Sequence, residues 1–255
     1  MIIMVAEIES RHPENTPRDI LFNRFSSMEP VKKNYLMHAH SFAEVAHAGQ
    51  KRSSDEPYIT HPENTTIILI DLGVEDENTL GGGLLHDVIE DNSDIFPDKT
   101  PEGASYEEWK DYARNQMQKL KFSRETANIV ISLTKPKIGD FGIESEEERR
   151  QKYAEILMGA SPEALVVKMA DRLHNLRTLS SLPLEKKRKV ITETQHVYLK
   201  IFGRVEEEDF DTYFGTYSEV GKKLLARIRD EVQKFSEYLL EPESIGESEK
   251  FDIPA

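Results

Sequence analysis

His86-Asp87-Val88-Ile89-Glu90-Asp91, which follows directly on Leu84-Leu85, places four groups able to bind metal or handle protons within six residues. On a helix, His86 and Glu90 stand four residues apart, as do Asp87 and Asp91, while Asp87 and Glu90 stand three apart. All four side chains can therefore crowd one side of a turn and a half. Three carboxylates held that close repel one another unless a cation sits between them or protons neutralise them. A solvated acidic helix face is the ordinary fate of such a run. The two leucines make this segment read as buried, so a divalent metal is the better explanation.

A metal held by His and carboxylate takes further protein ligands, with positions left open for water or substrate. Two candidates lie outward from the opening stretch. One is His61 in Glu56-Pro57-Tyr58-Ile59-Thr60-His61-Pro62, and the other is Asp171 in Lys168-Met169-Ala170-Asp171-Arg172-Leu173-His174-Asn175-Leu176-Arg177-Thr178. A His before Pro also suits a loop or cap, and an Asp beside Arg also suits a salt bridge. Residue type alone leaves both readings open.

The order His, then His-Asp, then a distant Asp resembles the signature of the HD phosphohydrolase superfamily. The lead-in from Ala46-His47 through Arg52-Ser53-Ser54-Asp55-Glu56-Pro57-Tyr58 to His61-Pro62, together with the other two motifs, resembles the hydrolase domain of RelA/SpoT proteins over about residues 35 to 205. The resemblance implies an all-α fold, an HD-domain helical bundle. It implies that His61, His86, Asp87 and Asp171 ligate a metal, usually manganese, and that Glu90 and Asp91 orient or deprotonate the attacking water. Arg52 matches the residue that stacks on guanine, Asn175 matches a contact to the nucleoside, and Thr178 lies one turn further along the same helix. The implied activity is that of a 3′-pyrophosphohydrolase of the stringent-response alarmone, converting (p)ppGpp to GDP or GTP and pyrophosphate. Two alternatives stand beside it: hydrolysis of another phosphorylated nucleotide such as NADPH, and a non-catalytic alarmone-binding module.

These residue types suit the implied reaction. Hydrolysing a phosphate ester of a polyanion requires a water that loses its proton near neutral pH, stabilisation of developing charge, and a fixed substrate. Mixed His and carboxylate ligation suits manganese without excluding iron, nickel, cobalt or zinc. Glu90 shares the helix face of His86 and Asp87, which favours it over Asp91 as base. Arg52 offers a planar cation for a purine or a phosphate, and Asn175 offers both a donor and an acceptor. Lys168, Arg172 and Arg177 lie on or near the Asp171 helix, and His174 reads as a packing residue or a support behind the site.

Two departures from the family pattern stand out. Asp55 replaces the usual Gly of Ser-Gly-Glu-Pro, and Asp tolerates the left-handed conformation better than most residues. Gly81-Gly82-Gly83 replaces alanines, either weakening the helix by roughly 1 kcal/mol per residue, allowing close packing against another helix, or loosening the site.

Composition bounds the remainder. The chain has 255 residues, 38% hydrophobic and 31% charged, with no cysteine and a net charge of −14. Thiolate zinc sites, disulfides and thiol nucleophiles are excluded. The negative charge argues against nonspecific nucleic-acid binding. No apolar run is long enough for a membrane span, and Met1-Ile2-Ile3-Met4-Val5-Ala6 lacks the basic start of a signal peptide. The expected setting is cytoplasmic, with a small guanine nucleotide as the partner.

Along the chain, residues 1–255 read as a single HD hydrolase domain. Residues 1–20 read as a flexible lead, and helical spacing begins at Pro30 with Tyr35, Leu36, Ala39, Phe42, Ala43 and Ala46. Further helices are expected over 77–91, 105–120, 123–133, 145–158, 162–180 and 185–202, and an amphipathic one over about 217–240. The acidic tail 241–255 reads as frayed. Only 50 residues follow residue 205, too few for the synthetase domain of bifunctional relatives, so a standalone small alarmone hydrolase is expected.

Overall fold

Periodic apolar spacing and strong caps give a chain of helices, and the computed structural model describes residues 15–98, 103–203 and 209–239 of it. In order these are α1 (Pro17–Ser26), α2 (Pro30–Ala46), α3 (Thr60–Asp71), α4 (Glu77–Leu85), α5 (Val88–Asp91), α6 (Tyr106–Lys119), α7 (Arg124–Leu133), α8 (Glu146–Met158), α9 (Pro162–Arg177), α10 (Leu184–Glu193), α11 (Leu199–Gly203), α12 (Phe210–Phe214) and α13 (Ser218–Leu239). Among the described residues there is no strand, only an isolated backbone pairing of Lys51 with Pro57. The all-α expectation holds.

α9 is the axis of the fold. Ser161 caps it and Pro162 fills its first position, where a missing N–H costs nothing. From Ala164 to Leu176 every side chain but Asn175 is buried. A helix buried all round must lie inside the body, and α9 packs on α3, α4, α7 and α13. Its buried Lys168, Asp171, Arg172 and His174 are therefore polar groups in a dry interior, and each needs a partner.

Gly81, Gly82 and Gly83 are helical and buried in α4. A Cβ on Gly82 would come within 2.5 Å of Ile129 Cγ2, on Gly83 within 2.9 Å of Thr66 Oγ1, and on Gly81 within 3.1 Å of Tyr35 Cε1. Successive residues of one turn thus face α7, α3 and α2. The glycines trade helix propensity for close approach on three sides, which brings α3 and α4 together at the site.

Four expected boundaries change. The helix expected over 77–91 breaks at His86-Asp87 into α4 and α5. The lead expected over 1–20 already contains the start of α1, because Thr16 and Asp19 form a reciprocal capping box with Pro17 between them; residues 1–14 lie outside the described residues. The helix expected over 162–180 ends at Arg177 and passes into a tight turn at Leu179–Ser181. The helix expected over 185–202 is interrupted by a π turn at Thr194–Tyr198, where Thr194 Oγ1 donates to Val190 O at 2.6 Å. That turn brings the Tyr198 ring to 3.9 Å from the Arg172 guanidinium, so Arg172 faces an aromatic ring. The tail beyond residue 239 lies outside the described residues.

Candidate metal centre

The site forms where α3, the α4–α5 break and α9 meet. His61 is the second residue of α3, delivered there by the loop that Lys51 and Pro57 close. His86 and Asp87 occupy the break itself, and Asp171 projects from the middle of α9. His61 Nε2 lies 3.2 Å from His86 Nε2 and 3.1 Å from Asp171 Oδ1. Asp87 Oδ2 lies 3.2 Å from His86 Nε2 and 3.6 Å from His61 Nε2. A further edge, His86 Nε2 to Asp171 Oδ1, is 3.8 Å.

Three of those five edges, at 3.1–3.2 Å, have the spacing of neighbouring ligands on one ion, and the other two are a few tenths of an ångström longer. Ligands about 2.1 Å from a common ion stand roughly 3.0–3.4 Å apart. The chemistry of the donors agrees. His86 Nδ1 donates to Gly83 O at 2.9 Å, so in the neutral ring its Nε2 turns a lone pair toward another histidine nitrogen and two carboxylates. Such a convergence of acceptors calls for positive charge. In the bare site a proton supplies it. Burial alone would depress His86, but Asp87 and Asp171 outweigh it and raise the ring to about 9. Burial likewise would raise Asp171, yet Lys168, His61 and His86 hold it well below the usual carboxylate range. His61, His86 and Asp171 form a buried group able to hold a divalent cation, with Asp87 at its open edge.

Each of these side chains is held from behind. His61 Nδ1 meets His174 Nδ1 at 2.7 Å. Burial first, then the charges of His61 and Arg52, push His174 down to about 3, which keeps it neutral. With His61 Nε2 turned to the centre, His61 Nδ1–H donates to His174. Lys168 Nζ holds Asp171 Oδ2 at 2.8 Å, and Tyr58 O–H donates to Asp87 Oδ2 at 2.8 Å. His174 stood in the sequence as packing or support; Tyr58 was noted only as part of a motif, and its role as a donor had no signal beyond its closeness to His61.

The acidic pair diverges. Glu90 Oε2 accepts the Lys135 N–H at 3.0 Å, far along the chain in the loop after α7. Asp91 Oδ2 lies 3.8 Å from Nδ1 of the buried His47. Burial and the charge of Asp87 raise Glu90, and burial with Asp87 and Glu90 raises Asp91 to about 6. His47 donates from Nδ1 to Gln50 Oε1 at 2.9 Å, and its buried Nε2 meets no protein partner. Nothing in its motif had marked His47 as facing the acids.

Arg52, Asn175 and Thr178 do come together. Arg52 Nη2 donates to Asn175 Oδ1 at 3.1 Å and to Thr178 Oγ1 at 3.2 Å, and Asn175 Nδ2 donates to Asp171 Oδ1 at 2.6 Å. One hydrogen-bonded chain thus runs from the loop to the Asp171 carboxylate. Asp55 adopts φ +71°, the left-handed conformation its position demands, and its exposed carboxylate pairs with Lys51 Nζ at 3.0 Å.

A helical body with paired histidines and aspartates, able to hold a divalent cation, at the junction of three helices is the architecture of a domain of HD type. Residues 39–206 match the model of the HD domain family, and the chain belongs to that family. A Streptomyces coelicolor protein named GTP pyrophosphokinase is 33% identical over 208 residues, covering 79% of this chain and 22% of that protein. An Aquifex aeolicus protein named guanosine-3′,5′-bis(diphosphate) 3′-pyrophosphohydrolase is 29% identical over 236 residues, covering 89% of this chain and 31% of that protein. The chain therefore spans less than a third of the length of these curated relatives. A solved structure, described as a metazoan ortholog of SpoT that hydrolyzes ppGpp, matches 81% of this chain and 97% of its own at TM-score 0.53 and 21% identity, a likeness of fold. Among the described residues no helix is long and apolar enough to cross a membrane.

Proposed function

We propose that this chain hydrolyses the 3′-pyrophosphate of (p)ppGpp, with manganese as the resident ion. The observation that carries the reading is the adjacency of two sets. The His61–His86–Asp87–Asp171 cluster, with edges of 3.1–3.8 Å, is joined through Asn175 to Arg52 and Thr178. A phosphate-handling centre and a base-handling set thus share one hydrogen-bonded chain. The names of the curated relatives point the same way.

In this reading His61, His86, Asp87 and Asp171 hold the ion, which supplies Lewis acidity and neutralises phosphate charge. Arg52 lies against guanine, with the Tyr58 ring 6.0 Å from its guanidinium, and Asn175 and Thr178 fix the nucleoside end. Glu90 accepts the proton of the attacking water. One of its oxygens is fixed by the Lys135 N–H, and burial lifts its affinity for a proton toward the working pH. Asp91 assists from the neighbouring position.

The test is release of pyrophosphate from ppGpp by the purified protein with manganese added, run beside NADPH and cyclic nucleotides. Conversion of ppGpp to GDP with one pyrophosphate per turnover is expected. Metal-loaded protein that leaves ppGpp intact would overturn the proposal, and phosphate released from another nucleotide would redirect the pocket assignment.

A further inference from the structure

Glu90 is also a wall of a cavity of about 310 Å³. The other walls include Tyr106 and Trp109 from α6, and Lys135, Lys137 and Phe141 from the α7–α8 loop. Tyr106 and Trp109 lie nearly parallel, 20° apart with ring centroids separated by 5.8 Å. Phe141 meets Tyr106 edge-on at 5.3 Å and Trp109 at 5.7 Å. These rings are half-buried, so they line the space without filling it.

The loop is bent to achieve this. Phe141 has φ +53°, with Gly139 at +97° and Gly142 at +80° on either side. A bulky residue in the left-handed region is strained, and such strain persists only where the surroundings impose it. Here it carries an aromatic ring to the mouth of a cavity and not into the core.

The position relative to the metal cluster follows from α9. Asn175 and Thr178 lie on the C-terminal side of Asp171, with Arg52 upon them. Lys168 lies on the N-terminal side, and its ammonium shares the Tyr153 ring with that of Lys135, at 5.7 and 5.5 Å. Lys168 and Thr178 stand about 15 Å apart along α9, with the Arg52 set at Thr178 and Lys135, a wall of the cavity, on the side of Lys168. A single nucleotide with its base at Arg52 and its phosphate at Asp171 does not also place a ring in the cavity.

We propose that this cavity is a second nucleotide subsite, taking a planar base against Trp109 and Phe141 with an attached phosphate toward Lys137. Aromatic faces serve a ring and not a bare pyrophosphate, and a lysine at the lip supplies the counter-charge. The ring comes either from the far end of a dinucleotide substrate or from a separate mononucleotide. Only the placing of the first base beside Arg52 rests on the proposed function.

Trp109 is the single tryptophan of the chain, so its fluorescence reports occupancy directly. The metal-loaded full chain is titrated with AMP, GMP, ribose 5-phosphate and pyrophosphate. Saturable quenching by AMP or GMP is expected, with ribose 5-phosphate and pyrophosphate ineffective. Phe141→Ala and the exposed Lys137→Glu should each weaken the nucleotide by about tenfold, while Arg52→Ala should leave the response in place. Quenching by NADPH that excludes AMP marks the dinucleotide source, and AMP quenching that NADPH leaves unchanged marks a separate mononucleotide. The proposal falls if no nucleotide quenches, if ribose 5-phosphate or pyrophosphate quenches equally, if both cavity variants respond like wild type, or if Arg52→Ala abolishes the signal. Because the readout is binding, quenching without ppGpp turnover, or turnover without quenching, tells which of the two readings has failed.

Discussion

The wall of the site built from α3, α4 and α9 and the wall built from α5 and the loop after α7 begin at adjacent residues but differ in every physical respect. On the first, His61, His86 and Asp171 are at most 5% exposed and each is gripped from behind by His174, Gly83 O or Lys168. Three glycines let the helices beneath close on contact. On the second, Asp91 is 31% exposed, Glu90 leans on a loop N–H, and a strained phenylalanine borders an open cavity. Under the proposed function, the difference teaches how a polar cluster would divide its work. Ligand geometry requires dry, immobile supports, because a cation binds by distance. Proton transfer and substrate exchange require contact with water and space.

The comparison breaks most completely at a ligand. Asp171→Asn should reduce bound manganese, measured by elemental analysis, from one equivalent to background and take turnover with it; full metal content in this variant would show that the first wall is not the binding wall. Next in size, Glu90→Gln should keep its metal while turnover falls by about 10²–10⁴-fold, and unchanged turnover would move the proton acceptor elsewhere. His174→Ala tests support without touching the ion's own ligands. Loss of the group behind His61 should weaken metal affinity by about 10–100-fold, seen by isothermal titration with manganese at unchanged helical content.

Packing beneath the first wall is probed by Gly82→Ala. The new methyl meets Ile129, and overpacking of this kind costs about 1–3 kcal/mol, offset by about 1 kcal/mol of gained helix propensity. Urea denaturation should show a net loss of stability. Gly159→Ala is the control, since its added Cβ would meet nothing nearer than 3.8 Å. The smallest effect belongs to Asp91, whose partial exposure screens it. Burial and the charges of Asp87 and Glu90 push its pKa up to about 6 in the folded chain, above the usual carboxylate range, so the folded chain binds this proton more tightly than the unfolded one. In metal-free protein, stability from this group should therefore fall as pH rises from about 4 to about 6. Asp91→Asn should flatten that part of the profile of melting temperature against pH; an unaltered slope would assign it to another group.

Much of the fold was legible because its causes are local. The helices over Pro30–Ala46, Tyr106–Lys119, Arg124–Leu133 and Glu146–Met158 fall within a residue or two of their expected bounds, the first begun by Pro30 and the other three by Ser caps. α1 was missed although Thr16-Pro17-Arg18-Asp19 carries its capping box, since the prolines around it masked the apolar pair Leu21 and Phe25. The break at His86-Asp87 had no local signal. Regular spacing predicted one acidic face, but Asp87 turns to Tyr58 and the histidines while Glu90 reaches Lys135. Gly81–Gly83 admitted three readings, and the neighbours Tyr35, Thr66 and Ile129 select close packing.

What the sequence determined by itself was the all-α class, several of the helices and the order in which His61, His86-Asp87 and Asp171 occur, because periodicity and caps act within one turn. Tertiary structure alone decided which atoms of those residues face one another. The contacts that do so, His61 with His86 across 25 residues, Glu90 with Lys135 across 45 and His61 with His174 across 113, form only when a buried α9 and a glycine-faced α4 bring distant segments within hydrogen-bonding distance.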